Sequence, residues 1–119
     1  MNVEDFRAYC LAKKGVTEGF PFGGDTLVFK VMDKLFALTN VDQFQSINLK
    51  CNPGRAIELR EQYPHGVLPG YHMNKAHWNT VMTQAGIPET LLYELIDHSY
   101  QLIVDGLSRK LRAELEAMV

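Results

Sequence analysis

Little in this chain is of the kind that staples, anchors or exports a protein. Cys10 and Cys51 are its only cysteines, far apart and in no CxxC spacing, which argues against a disulfide framework or a zinc ribbon and for buried, reduced thiols. No apolar run approaches the length a bilayer requires, so no membrane partner is expected. The first residues, Met1-Asn2-Val3-Glu4-Asp5-Phe6, lack the basic-then-apolar order of a secretory signal and are too acidic for a transit peptide; the expected location is the cytoplasm. Excess positive charge is missing too. A formal net charge of −2 speaks against a strongly basic surface, so any grip on a polyanion has to come from local clustering.

What is present is an ordinary globular composition, and 119 residues suit one domain spanning 1–119 that buries roughly two thirds of the surface its unfolded form exposes. Asn2 is placed to cap a helix carrying Val3, Phe6, Cys10 and Leu11 at helical spacing, stopped by Lys13-Lys14-Gly15. Gly19-Phe20-Pro21-Phe22-Gly23-Gly24 reads as a loop whose two Phe plug the edge of a core. The period then changes to two. Strands are expected from Asp25 to Met32, over Leu35–Thr39 and over Ser46–Cys51, the first two joined by a tight turn at Met32-Asp33-Lys34. Lys30 and Lys50 fall on outward registers.

Asn52-Pro53 opens a second helix ending near Tyr63. Val67-Leu68 and Tyr71-His72 flank the Pro69-Gly70 break and predict a bulged or edge strand, paired through a Met73-Asn74-Lys75 turn with His77–Thr83. From Pro88 the longest periodic stretch predicts a helix with Leu92, Leu95, Ile96, Ser99, Leu102 and Ile103 in one stripe, kinked at Gly106 and running on towards Val119. The order α-β-β-β-α-β-β-α predicts an α+β two-layer sandwich, an antiparallel five-stranded sheet with helices on one face.

No complete catalytic constellation appears. His65, His72 and His77 lie close in sequence, but their spacing matches no zinc pattern, and neither a metal nor a cofactor is expected. Cys10 and Cys51 sit on core registers, where thiols are usually inert, although a Cys51 and His72 pair is an option the sequence leaves open. Phe22-Gly23-Gly24-Asp25 lacks the Lys and Ser or Thr of a phosphate-binding loop. The strongest signal is clustering. Between Gln43 and Pro88 there are four basic residues, Lys50, Arg55, Arg60 and Lys75, against the acids Glu58 and Glu61. Within it, the Pro69-Gly70 turn signal, His72, Lys75, His77 and the only Trp, Trp78, crowd one short segment. Lysines neutralise phosphates and an exposed Trp stacks on a base; the competing reading places Trp78 in a core and lets the lysines solvate a face.

Phe20-Pro21-Phe22-Gly23, Val28-Phe29-Lys30-Val31, Lys34-Leu35-Phe36-Ala37-Leu38, Leu49-Lys50-Cys51, Ser99-Tyr100 and above all the run from Pro69 to Asn79 resemble the MmcQ/YjbR family of small bacterial proteins. The resemblance implies a CyaY-like or secretion-chaperone-like fold and DNA binding through a "double wing" of two β-hairpins, here at Asp33-Lys34 and Met73-Asn74-Lys75. Asp33 stands where the family's first turn is commonly glycine-rich, and an acid there repels phosphate. The expected function is a non-enzymatic, regulatory DNA-binding module using Lys30, Lys34, Lys50, His72, Asn74, Lys75, His77, Trp78 and Asn79. The alternative is an adaptor for a protein partner or small anion, with no nucleic acid.

Overall fold

The computed structural model describes residues 1–119. Its elements in chain order are α1 (Val3–Leu11), β1 (Val16–Gly19), β2 (Thr26–Val31), β3 (Lys34–Asn40), β4 (Ser46–Lys50), α2 (Pro53–Gln62), β5 (Val67–Pro69), β6 (Trp78–Met82), α3 (Glu89–Asp105) and α4 (Arg109–Ala117). The six strands form one antiparallel sheet in the order β1-β2-β3-β4-β6-β5. The fold is α+β, and no helix is long and apolar enough to cross a membrane.

Three assignments differ from the sequence reading. Val16–Gly19 is a sixth, edge strand beside β2; with a single large apolar residue, Val16, it carries almost no alternation to read. Secondly, the C-terminal helix is two. Gly106 ends α3, and the Ser108 side chain accepts the Leu111 N–H to start α4, a cap of the ordinary kind. Tyr71-His72 is also not strand. His72 takes φ +59°, a left-handed conformation that turns the chain instead of extending it.

Alternation assigns the two faces. Leu27, Phe29, Ala37, Ile47, Leu49 and Val81 point to the helices and join Phe6, Leu59, Leu92 and Ile96 in the core. Phe6 meets Phe29 edge-on at 5.4 Å between centroids, and each such buried ring contributes roughly 2 to 3 kcal/mol. A bulge between Phe29 and Lys30 turns Phe36 inward, where its carbonyl accepts from the buried Ser99 hydroxyl at 2.5 Å. Ser99 in turn accepts the Lys50 N–H at 2.9 Å. Thus α3 fixes the end of β4 from behind, and Ser99 belongs to the stripe for this bond as well as for its size.

The other face carries Lys30, Leu35, Leu38, Asn48, Lys50, Trp78 and Thr80 in mutual register. Only loops lie over it.

Candidate functional site

Register decides where the expected site residues meet. Val31 pairs with Lys34, Lys50 with Trp78, and Pro69 with Asn79, so the Met32-Asp33 turn and the loop from Gly70 to His77 close the same end of the sheet. At the usual ~4.8 Å between strands, those two tips stand roughly 14 Å apart. Lys30 and Lys50 both face outward but are not on adjacent strands, because β3 runs between them. Lys34, His72, Asn74, Lys75 and His77 are exposed, and Lys30, Lys50 and Trp78 half-buried. None of Lys30, Lys34, Lys50 and Lys75 pairs with a carboxylate. The ion pairs instead engage the N-terminus with Glu89, Arg7 with Glu18, Lys13 with Asp97 and Arg55 with Glu94.

Asn79 departs from the expectation that it reaches a base. It is 2 % exposed, on the helix-facing register opposite Leu49, and its Oδ1 accepts from Arg60 Nε at 2.8 Å. The guanidinium of Arg60 also donates to the backbone carbonyls of Lys75 and Trp78. Arg60 is therefore a brace that holds the loop from within, and with Arg55 tied to Glu94 only Lys50 and Lys75 of that cationic stretch remain available. Asn74 too is partly structural: its Oδ1 accepts the N–H groups of Ala76 and His77 at 2.9 and 3.3 Å, an Asx turn. Lys75 Nζ reaches the Gly70 carbonyl at 3.2 Å.

The same loop folds a turn back over the open face. A Cβ at Gly70 would meet Trp78 Cβ at 2.8 Å and its carbonyl at 2.9 Å, so only glycine lets the chain pass. Beyond it, the Tyr71 N–H donates to Thr80 Oγ1 at 2.9 Å, Thr80 Oγ1 donates to Asn48 Oδ1 at 2.6 Å, and Asn48 Nδ2 donates to the Tyr71 carbonyl at 3.4 Å. This ring of bonds anchors Tyr71, His72 and Met73 above β4 and β6. Facing them, the loop before β2 carries Phe20 and Phe22, which do not plug a core as expected: they are 50 % and 72 % exposed. Between Phe22 and Tyr71 the open face holds a cavity of about 490 Å³ floored by Leu35, Leu38, Ser46 and Asn48. Phe22, Tyr71 and Arg60 are site-building residues that sequence reasoning did not select. The only signal for them was position beside Gly and Pro turns, or on the polar face of a helix.

Histidine and cysteine chemistry does not assemble. No three His, Cys, Asp or Glu side chains gather to hold a metal ion. Cys51 belongs to the core, where burial raises its pKa, whereas His72 lines the open-face cavity; the two lie on opposite sides of the sheet and cannot pair. Burial likewise pushes the Cys10 thiol up to about 12.

The family model YjbR matches residues 11–102. The uncharacterised protein YjbR of Escherichia coli is 36 % identical over 119 residues, covering 97 % of this chain and all of the relative. The chain belongs to the YjbR family. Its relatives include the uncharacterised YbdF of Escherichia coli, 41 % identical over 92 residues, 76 % of this chain and 75 % of that one. A crystal structure of a Deinococcus radiodurans protein superposes with a TM-score of 0.91 at 40 % identity, over 97 % of this chain and 88 % of that chain. A Pseudomonas syringae structure follows at 0.73 and 32 %, over 86 % of this chain and 98 % of that one. The sheet, its open face and both tips of this YjbR-family chain lie within the matched residues.

Proposed function

We propose that this YjbR-family chain is a non-catalytic DNA-binding module that grips backbone phosphates with the lysines at the tip-bearing end of its sheet. One observation carries the reading: Lys30, Lys34, Lys50 and Lys75 stand at that end with no carboxylate partner, a trait they share with Lys14 and the α4 cations Arg109, Lys110 and Arg112, while Arg7, Lys13, Arg55 and the N-terminus are each paired. Trp78, directly across from Lys50, offers a half-buried ring beside the phosphate path. Asp33 at the first tip opposes the grip; Lys75 and His77 at the second carry more of it. A regulatory role follows from binding without chemistry.

The test is fluorescence anisotropy of a labelled duplex across a salt series. Affinity is expected to fall steeply with salt, and the double variant Lys50→Ala/Lys75→Ala to lower the slope of log K against log salt by about 2. Binding that is absent at low salt, or insensitive to salt, rejects the reading.

A second reading, an adaptor for a peptide or small acidic metabolite, draws on the cavity between Phe22 and Tyr71. A rise in unfolding temperature with such a ligand, with none for DNA, decides for it.

A further inference from the structure

We infer that the open-face cavity seats one unstacked nucleobase between Phe22 and Tyr71, with Lys50 placed for its phosphate. The inference rests on the phosphate-binding reading of the lysine end and adds what that reading lacks: a reason to prefer single-stranded nucleic acid to duplex.

Phe22 and Tyr71 are 72 % and 68 % exposed and both line the cavity, brought there by two different loops, one before β2 and one between β5 and β6. Two large rings left in water contribute little to folding, yet a base has a π-face that stacks on such rings whatever its sequence. The floor between them is Leu35 and Leu38 at β3 with Ser46 and Asn48 at β4. At about 490 Å³ the space is of small-ligand size. Asn48 and Thr80 are occupied with each other and with the Tyr71 backbone, so they hold the wall. The Ser46 hydroxyl and the Asn40 amide nitrogen take part in no hydrogen bond of the fold and are left for the edge of a base.

Charge fits the same ligand. No Asp or Glu lines the cavity, and the only ionisable nitrogen in it is that of His72 at the rim. Lys50 follows Asn48 on the same face, two residues and about 7 Å further towards the tips, a separation of the order of that between a base and its own phosphate. A duplex presents this arrangement with phosphates alone, because its bases are stacked and paired.

The experiment compares four probes on the full chain by anisotropy and by backbone amide shifts: a single-stranded oligonucleotide, the same length with abasic sites, the matching duplex, and a free nucleoside 5′-monophosphate. Expected is tighter binding of the single strand than of the abasic strand or duplex, with shifts at Ser46, Asn48 and Thr80. Phe22→Ala and Tyr71→Ala are each expected to weaken the single strand about tenfold and leave the duplex unchanged. Both side chains are exposed, and Tyr71 joins the fold through its backbone N–H and carbonyl, so the variants are expected to fold. Equal binding of single, abasic and duplex probes, with silent ring variants, overturns the base seat and leaves the phosphate grip standing. Loss of duplex binding in Lys34→Ala/Lys75→Ala, which leaves the rings and Lys50 intact, tests the grip separately. If the monophosphate shifts the cavity residues and no polymer binds, the seat stands for a free nucleotide and the DNA reading falls. If no base-bearing probe shifts them, the inference is wrong.

Discussion

Between Val31 and Lys34 the chain reverses in two residues, Met32 and Asp33, whereas between Pro69 and Trp78 it uses the eight from Gly70 to His77. The short tip takes its shape from backbone handedness. Both residues have positive φ, +48° and +66°, the type I′ turn that suits the twist of a two-stranded hairpin and that Asn-Gly fills with least strain. One hydrogen bond joins it to the chain outside the hairpin, the Met32 N–H donating to the Gly15 carbonyl at 3.3 Å, while the Met32 side chain packs against the core. The long tip is held by its own turn and by its neighbours. Asn74 accepts the Ala76 and His77 N–H groups within it, Arg60 on α2 donates to its Lys75 carbonyl and to Trp78 and Asn79 at the start of β6, and Thr80 and Asn48 fix its start. A hairpin tip can therefore be specified by backbone handedness at the cost of strain, or by its own turn together with a half-buried brace from a neighbouring helix. The braced one presents Lys75 and His77 in a settled position.

The comparison breaks most visibly at the brace. Arg60→Met leaves the buried Asn79 Oδ1 without its donor and the Trp78 carbonyl with only the Gly70 N–H, a loss of about 2 kcal/mol, which thermal unfolding should register as a fall of roughly 8 °C. Arg60→Lys keeps the charge but cannot span three acceptors. It should destabilise by a similar amount, and faster amide exchange should appear at Lys75 to Trp78 with none at Met32 or Asp33. Equal exchange at both tips would show that the long loop holds itself and that Arg60 only caps a helix.

A smaller effect is expected at the other tip. Asp33→Gly removes a non-glycine residue from positive φ, worth up to about 1 kcal/mol, and deletes the acid beside Lys34. Denaturant unfolding should show a modest gain, and duplex affinity should rise a few-fold with a steeper salt dependence. Higher stability with unchanged affinity would place the phosphate path over the long tip alone.

How much of this was legible in the sequence follows from what kind of information each feature uses. Alternation in β2, β3 and β4, the Asn52-Pro53 start of α2 and the stripe of α3 are local periodic signals, and they appear where expected. Val16–Gly19 has almost no period to read and becomes strand only because β2 lends it a ladder. Lysines on outward registers could be named from parity; Asn79 entered the site list beside Trp78 against parity, since adjacent strand residues point to opposite faces. The role of Arg60 depends on a segment more than a dozen residues away. Phe20 and Phe22 resemble core residues by composition, yet both rings stand in solvent. The element order came from local pattern, the resemblance to the MmcQ/YjbR family agrees with it, and the family match bears out that resemblance.

The smallest expected effect also divides the two tips, this time by pH. The His98 imidazole on α3 accepts the Asn52 N–H through Nε2 at 3.2 Å, at the N-terminal cap of the helix that carries Arg60. That bond requires a neutral ring. Burial, with Arg55 nearby, lowers the His98 pKa below its ordinary value of 6.5, against a weaker opposite pull from Glu94. A histidine with a depressed folded-state pKa contributes its stability in full above the unfolded value. As pH falls below that point the unfolded chain takes up the proton first, and stability declines until the folded-state pKa has also been passed. Thermal unfolding followed from about pH 7 to about pH 5 should decline for the parent chain and flatten in His98→Gln, whose amide oxygen can accept the same N–H without titrating. The decline should be accompanied by faster exchange from Asn52 through α2 to Lys75, leaving the Met32-Asp33 turn as it was. A pH response that loosened both tips alike would mean that α2 does not transmit it, and that the long tip is less dependent on its brace than the three Arg60 bonds imply.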